Sequence, residues 1–134
     1  MRTLLSKVGR RLCAVPIEHV AEVLRPLPIA PLAQLQPFVL GAAVLRGEAV
    51  PVIDAGRLLG EPMPEPKRFI SLKLGARGAA LAVDEVIGLR ELEPAQTLAP
   101  LLSADHVAAL ETIDRELLVV LNAARLLPET GGAG

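Results

Sequence analysis

Apolar residues in this chain come in short runs, each closed by glycine, proline or a charged pair before a helix has length to propagate. Arg2 to Val8 and Arg11 to Val15 flank Gly9-Arg10, the pattern of a hairpin, and Pro16 closes the second run. Ile17 to Leu24 supports two periodicities. Ile17, Val20, Ala21 and Leu24 share a helical face, whereas Val20, Glu22 and Leu24 share a strand face; the pattern predicts a brief turn at Glu18 to Val20 and then a strand. Ala43 to Leu45 and Ala49 to Ile53 flank Arg46-Gly47-Glu48, where Gly47 supplies the positive φ of a tight connection. Asp54 precedes Ala-Gly-Arg-Leu-Leu, so its carboxylate is placed to cap a helical turn from Ala55 to Leu59 that Gly60 ends. Phe69 to Leu74, Ala79 to Val83 and Ile87 to Leu92 are of strand length, the first two joined by a Gly75–Gly78 turn. Ser103 is placed to cap a helical turn running towards Leu110. The fold class is mainly β with short helical turns, and short strands at regular spacing favour small barrels.

The strand–turn–strand–cap pattern occurs twice. Glu48 to Leu59 is matched by Glu116 to Leu127, with Asn122 at the place of Asp54 and Arg125 at that of Arg57. Gly9 to Val20 is matched by Gly75 to Val86. A period near half the chain points to two related modules. Glu61-Pro-Met-Pro-Glu-Pro66 reads as a stiff linker between them, giving one domain over 1–134 with approximate halves 1–62 and 67–128 and room for exchange of terminal strands. Pro26 to Pro37 is too rich in proline for a central strand or helix and is expected to lie on the core as an extended arm.

Composition narrows the functional classes. A chain of 134 residues buries enough surface to fold unaided, but aromatic residues are only 1%, so the core is aliphatic and stacking on bases is nearly excluded. With a net charge of −1 and scattered basic residues, nucleic acid is not an expected partner. Pro26 to Leu45 is uncharged and long enough to cross a bilayer, yet its four prolines forbid a continuous helix, so no direct membrane insertion is expected. One cysteine, Cys13, allows no internal disulfide and reads as a small buried hydrophobe; with no signal peptide recognised, a cytoplasmic location is expected.

Asp54, Asp84, Asp114, His19 and His106 are nominal acid–base groups, but each acid has a simpler role in a cap or turn, and no metal-ligand spacing, nucleotide fingerprint or nucleophile motif occurs. No catalytic, cofactor-binding or metal-binding residue is expected, and no enzyme activity.

Four segments carry a resemblance. Val15 to Arg25, Pro37 to Asp54 with its core Leu45-Arg-Gly-Glu-Ala-Val-Pro-Val-Ile-Asp54, Leu81 to Gly88, and Leu117 to Leu127 resemble the CheW family of chemotaxis coupling proteins in order and spacing. The resemblance implies two small five-stranded SH3-like β-barrels packed together. It also implies a noncatalytic adaptor joining the cytoplasmic tip of a chemoreceptor to the regulatory domain of a CheA-type histidine kinase, in a flagellar, pilus or surface-sensing system. By position, Arg46 matches the family's signature arginine and Glu22 an acid that pairs with it, while Val20 and Gly41 fall in segments associated with receptor contact; Leu40 is expected with them, since Glu18 to Leu24 and Leu40 to Arg46 should supply most of one partner surface. Val20 and Leu40 read equally well as core residues. Val44 stands where the family usually has asparagine, and Val107 to Glu111 replaces a glycine-rich segment, departures that mark a specialised member. A free-standing SH3-like interaction module in another signalling system is the alternative.

Overall fold

The computed structural model describes residues 1–33, 36–61, 65–92, 107–113 and 115–126. Ten strands appear in chain order: β1 (Arg2–Val8), β2 (Arg11–Pro16), β3 (Val20–Leu24), β4 (Val39–Leu45), β5 (Glu48–Asp54), β6 (Arg68–Leu74), β7 (Arg77–Val83), β8 (Glu85–Glu91), β9 (Val107–Ile113) and β10 (Glu116–Leu121). One helical turn, α1 (Ala55–Leu59), follows β5, and 3-10 turns occupy Ile17–His19 and Ala123–Arg125. The strands form two five-stranded sheets, β8-β1-β2-β10-β9 and β3-β6-β7-β5-β4.

The two sheets are one pattern written twice, with leading hairpins exchanged. If β1 to β5 and β6 to β10 are corresponding repeats, each sheet takes the first two strands of one repeat and the last three of the other. Residue registers repeat as well. Val120 opposite Ala14 in the parallel pair β10·β2 recurs as Val52 opposite Ala80 in β5·β7. The step from Leu5–Gly88 to Ser6–Val86 recurs as the step from Ser71–Glu22 to Leu72–Val20, so the β-bulge on β8 has its counterpart on β3. A cut near 62–66 therefore does not separate the sheets as halves 1–62 and 67–128 would. Antiparallel neighbours can be joined by a tight turn, but the parallel pairs β2·β10 and β5·β7 force each half of the chain to complete the sheet of the other.

Burial on both faces explains the continuously apolar runs. Along β7, Ala80 and Ala82 face the interior of their own sheet with Phe69, Val50 and Val52, while Ala79, Leu81 and Val83 face a core shared by both sheets. On β2, Leu12 and Ala14 pack with Leu5, Leu118 and Val120, while Cys13 and Val15 join the shared core. Cys13 is fully buried, as expected, and desolvation pushes its thiol up to about 12 against a weaker opposing hydrogen bond with Ser6.

Local expectations hold where backbone chemistry dictates them. Asp54 accepts from the Gly56 and Arg57 N–H groups at 2.8 and 3.3 Å, and Gly60 ends α1 at φ 69°. The helical turn expected up to Leu110 is not formed over Val107–Leu110: this segment is β9, with Leu110 opposite Val119 and Val107 opposite Leu121. Cross-strand pairing outweighs the Leu/Ala helix propensity there. Ser103, His106, Asp114 and Leu127 lie outside the described residues.

Because Leu81 is fully buried in the core common to both sheets, Leu81→Ala should lower stability by about 2–5 kcal/mol. Unfolding should remain a single transition, monitored by circular dichroism and by calorimetry together.

Candidate functional site

A two-residue turn organises the site. Leu45 pairs with Glu48, and between them Arg46 and Gly47 both take positive φ, 52° and 81°, the backbone of a type I′ hairpin. Glycine accepts that conformation without strain, whereas arginine is uncommon in it. The turn projects the guanidinium away from β4 and β5 towards β3, and there it meets Glu22 in a fork. Nη2 donates to Oε1 and Oε2 at 2.7 Å each, and Nε donates to Oε1 at 3.0 Å. The charge-assisted hydrogen bonds to Glu22, then its field, raise the guanidinium pKa further above its ordinary value, so the arginine is charged at every working pH.

The partners come from opposite margins of one sheet. β3 and β4 are the edges of the order β3-β6-β7-β5-β4, so the ion pair joins two edges that meet only because the sheet curls. On β3, Ala21 is the bulged residue between Val20, opposite Leu72, and Glu22, opposite Ser71. This extra residue re-aims the Glu22 carboxylate. A groove of about 400 Å³ opens beside the pair, lined by Glu22, Leu45, Arg46, Val50, Lys73 and Arg77 among others. Arg46 remains 74% exposed and Glu22 34%, so this is a surface pair with ideal geometry rather than a desolvated one.

The other candidates are placed differently. Val20 is half-buried against the shared core, and Leu40 is half-buried against the interior of the β3–β7 sheet. Gly41 is buried at φ 153°, and a Cβ there would lie 2.2 Å from the Ala30 carbonyl oxygen. Ala30 and Ala42 exchange backbone hydrogen bonds at 2.8 and 3.0 Å, fastening the proline-rich arm along β4. Gly41 is thus needed for close approach of two backbones. It lies five residues along the strand from Arg46, roughly 17 Å away. The structure brings Glu22 and Arg46 together and leaves Leu40 and Gly41 under the arm.

Sequence reasoning missed the means by which the arm is held. Arg57 donates to the Pro37 carbonyl at 3.0 Å and stands 3.5 Å from the Asp54 carboxylate, while Asp54 N–H donates to Phe38 at 2.8 Å. The recurrence of arginine three residues after Asp54 and Asn122 was the available signal. His19 sits 3.4 Å from the Lys73 carbonyl and 3.9 Å from Glu18, on the surface. Among the described residues, no group of three or more His, Cys, Asp or Glu side chains is arranged to hold a metal ion.

A family model described as the CheW-like domain matches residues 2–131. The chain belongs to the CheW-like domain family. Protein FrzA of Myxococcus xanthus is 37% identical over an alignment of 106 residues that covers 76% of this chain and 66% of FrzA, so the chain spans just under two thirds of that relative. The scaffolding protein TtCheW from Thermoanaerobacter tengcongensis superposes with a TM-score of 0.81 at 20% identity, covering 97% of this chain and 94% of that one, which establishes the same fold of two SH3-like β domains. Val44, where the resemblance expects asparagine, is 67% exposed on β4 two residues before Arg46, and Val23, next in sequence to Glu22 on β3, is 42% exposed. Among the described residues, no helix is long and apolar enough to cross a membrane.

Two variants separate fold from surface. Gly41→Ala should lower the thermal midpoint markedly, because neither the Ala30 carbonyl nor the backbone at φ 153° accommodates a methyl group. Glu22→Ala and Arg46→Ala should leave the midpoint nearly unchanged, and the small coupling in their double-mutant cycle should shrink further as salt is raised.

Proposed function

We propose that this chain is a noncatalytic adaptor that couples the cytoplasmic tip of a chemoreceptor to the regulatory domain of a CheA-type histidine kinase in a chemotaxis-like system. Membership of the CheW-like family carries the reading, and the similarity to FrzA and to a protein described as a scaffold supports it. An adaptor of this kind does its work by fixing distance and orientation between the partners it holds. Two curled sheets around one shared core suit that task, since they present separate outer surfaces on one body.

Of these surfaces, the one around Arg46 and Glu22 fits the receptor best. Its parts are a preformed guanidinium–carboxylate fork, the exposed Val44 two residues before Arg46, and an adjoining groove. The fork is already assembled without a partner, so little side-chain entropy is lost on binding. Val20, half-buried in the shared core, and Leu40 and Gly41, under the arm, do not form its outer face.

Arg46→Glu places two acids face to face and should weaken binding of a receptor-tip fragment by roughly tenfold or more while the affinity for a kinase regulatory domain is retained. Pairwise titration of the purified variant against each fragment measures this. Equal loss of both with thermal stability intact would refute separable surfaces. Binding of neither fragment by the unaltered protein would point instead to an interaction module of another signalling system.

A further inference from the structure

Among the described residues the chain passes between the two sheets at two places: through Ile17–His19, from β2 to β3, and through the single residue Asp84, from β7 to β8. In the repeat these crossings correspond, with Asp84 at the place of Glu18 and Gly9 at the place of Gly75. Their polar contacts do not correspond. Asp84 Oδ2 accepts from the Gly9 N–H at 2.8 Å, and Asp84 N–H donates to the Lys7 carbonyl at 3.0 Å. Next to Gly9, the Arg10 N–H donates to Glu61 Oε1 at 3.0 Å. Glu61 follows α1 on the other sheet's side of the molecule, and its own N–H is fixed on the Gly56 carbonyl at 2.8 Å. Glu18, by contrast, is turned outwards, its carboxylate 77% exposed and 3.9 Å from the His19 ring.

We propose that Asp84 and Glu61 form a clamp on the Gly9–Arg10 turn that sets the angle between the two sheets, and that these carboxylates are positioning residues for simultaneous binding of two partners. Apolar packing in the shared core holds the sheets together but is non-directional and tolerates small rotations. Hydrogen bonds from two successive backbone N–H groups to two separately anchored carboxylates are directional, and they act at the edge of the interface, where a given rotation produces the largest displacement. The turn is suited to the role because Gly9, at φ 58°, turns its N–H towards Asp84 while the next N–H meets Glu61. The lone crossing residue is thereby tied by backbone and side chain to β1 and its turn. The positioning role rests on the adaptor reading above; the clamp itself does not.

The test uses the full chain with Cys13→Ala and paired spin labels at Ala76→Cys, on the β6–β7 turn, and Thr112→Cys, on β9, both exposed positions on different sheets. The parent should give one narrow label-to-label distance distribution. Asp84→Ala with Glu61→Ala should broaden or shift it, while hydrogen exchange within each sheet is retained. Asp84→Asn, which keeps an acceptor oxygen, should restore the parent distribution in the presence of Glu61. A double variant with the parent distribution overturns the clamp. If that variant does not fold, Glu61→Ala alone decides, since it removes an exposed acceptor: broadening supports the clamp and an unchanged width overturns it. For the positioning role, the broadened variant should bind a receptor-tip fragment or a kinase regulatory domain singly as the parent does, yet form about tenfold less of the complex containing both. Undiminished ternary complex overturns that role. Failure of the parent to bind either fragment would count against the adaptor reading and leave the distance result standing.

Discussion

Two parallel strand pairs, β2 with β10 and β5 with β7, constrain everything else in this molecule. Each joins a strand from one repeat to a strand from the other. Parallel neighbours cannot be linked by a hairpin, so the chain must leave a sheet, build most of a second one, and return. The result is a shared core lined from both sides, with Val15, Cys13 and Leu121 from one sheet against Leu81, Ile70 and Ile53 from the other. Neither repeat retains a complete sheet by itself. Cooperativity between the two barrels is built in by connectivity before any contact between their surfaces is considered.

That economy frees the outer surface from a structural burden. Fully buried aliphatic strands supply the stability, so the fold does not depend on Arg46 and Glu22, whose exposed ion pair contributes little to folding. The fork is nevertheless well defined, because a type I′ turn aims one partner and a bulge aims the other. Backbone geometry, more than the ion pair's own energy, holds the charges in place.

Much of the strand pattern was legible because backbone-level signals are local. Glycine at the turns, Pro16 at the end of β2 and the Asp54 cap act within a few residues of where they stand. The repeat was legible too, since it depends on order and spacing. Exchange of terminal strands was left open by the sequence, but which strands exchange was not legible, because an apolar run buried on both faces does not reveal which neighbour it will take. The Val39–Ala42 part of β4 escaped notice for the same kind of reason: its pairing with β5 and with Ala30 is tertiary. Gly41 illustrates the limit. The resemblance put it in a segment associated with receptor contact, whereas its task in the fold, admitting the Ala30 carbonyl, depends on an arm whose path no local rule specifies.

The places where the repeats diverge are then the informative ones. Equal sheets would present equal surfaces, and a body with two equal faces cannot hold two different partners in a defined order. In the register of the sheets, Glu22 has Gly88 as its counterpart, so the second sheet has no carboxylate at the position that completes the fork. Asp54 caps α1 with its side chain, whereas Asn122 starts its 3-10 turn with no such hydrogen bond. Asp84 grips Gly9, whereas Glu18 faces solvent. None of these differences touches the alternation that fills the cores. A duplicated scaffold has kept its strand registers, which neither sheet can lose without flipping its apolar residues outwards, and has varied the polar residues at turns, bulges and crossings. Those are the positions where charge alters what a surface binds and how the two surfaces are oriented.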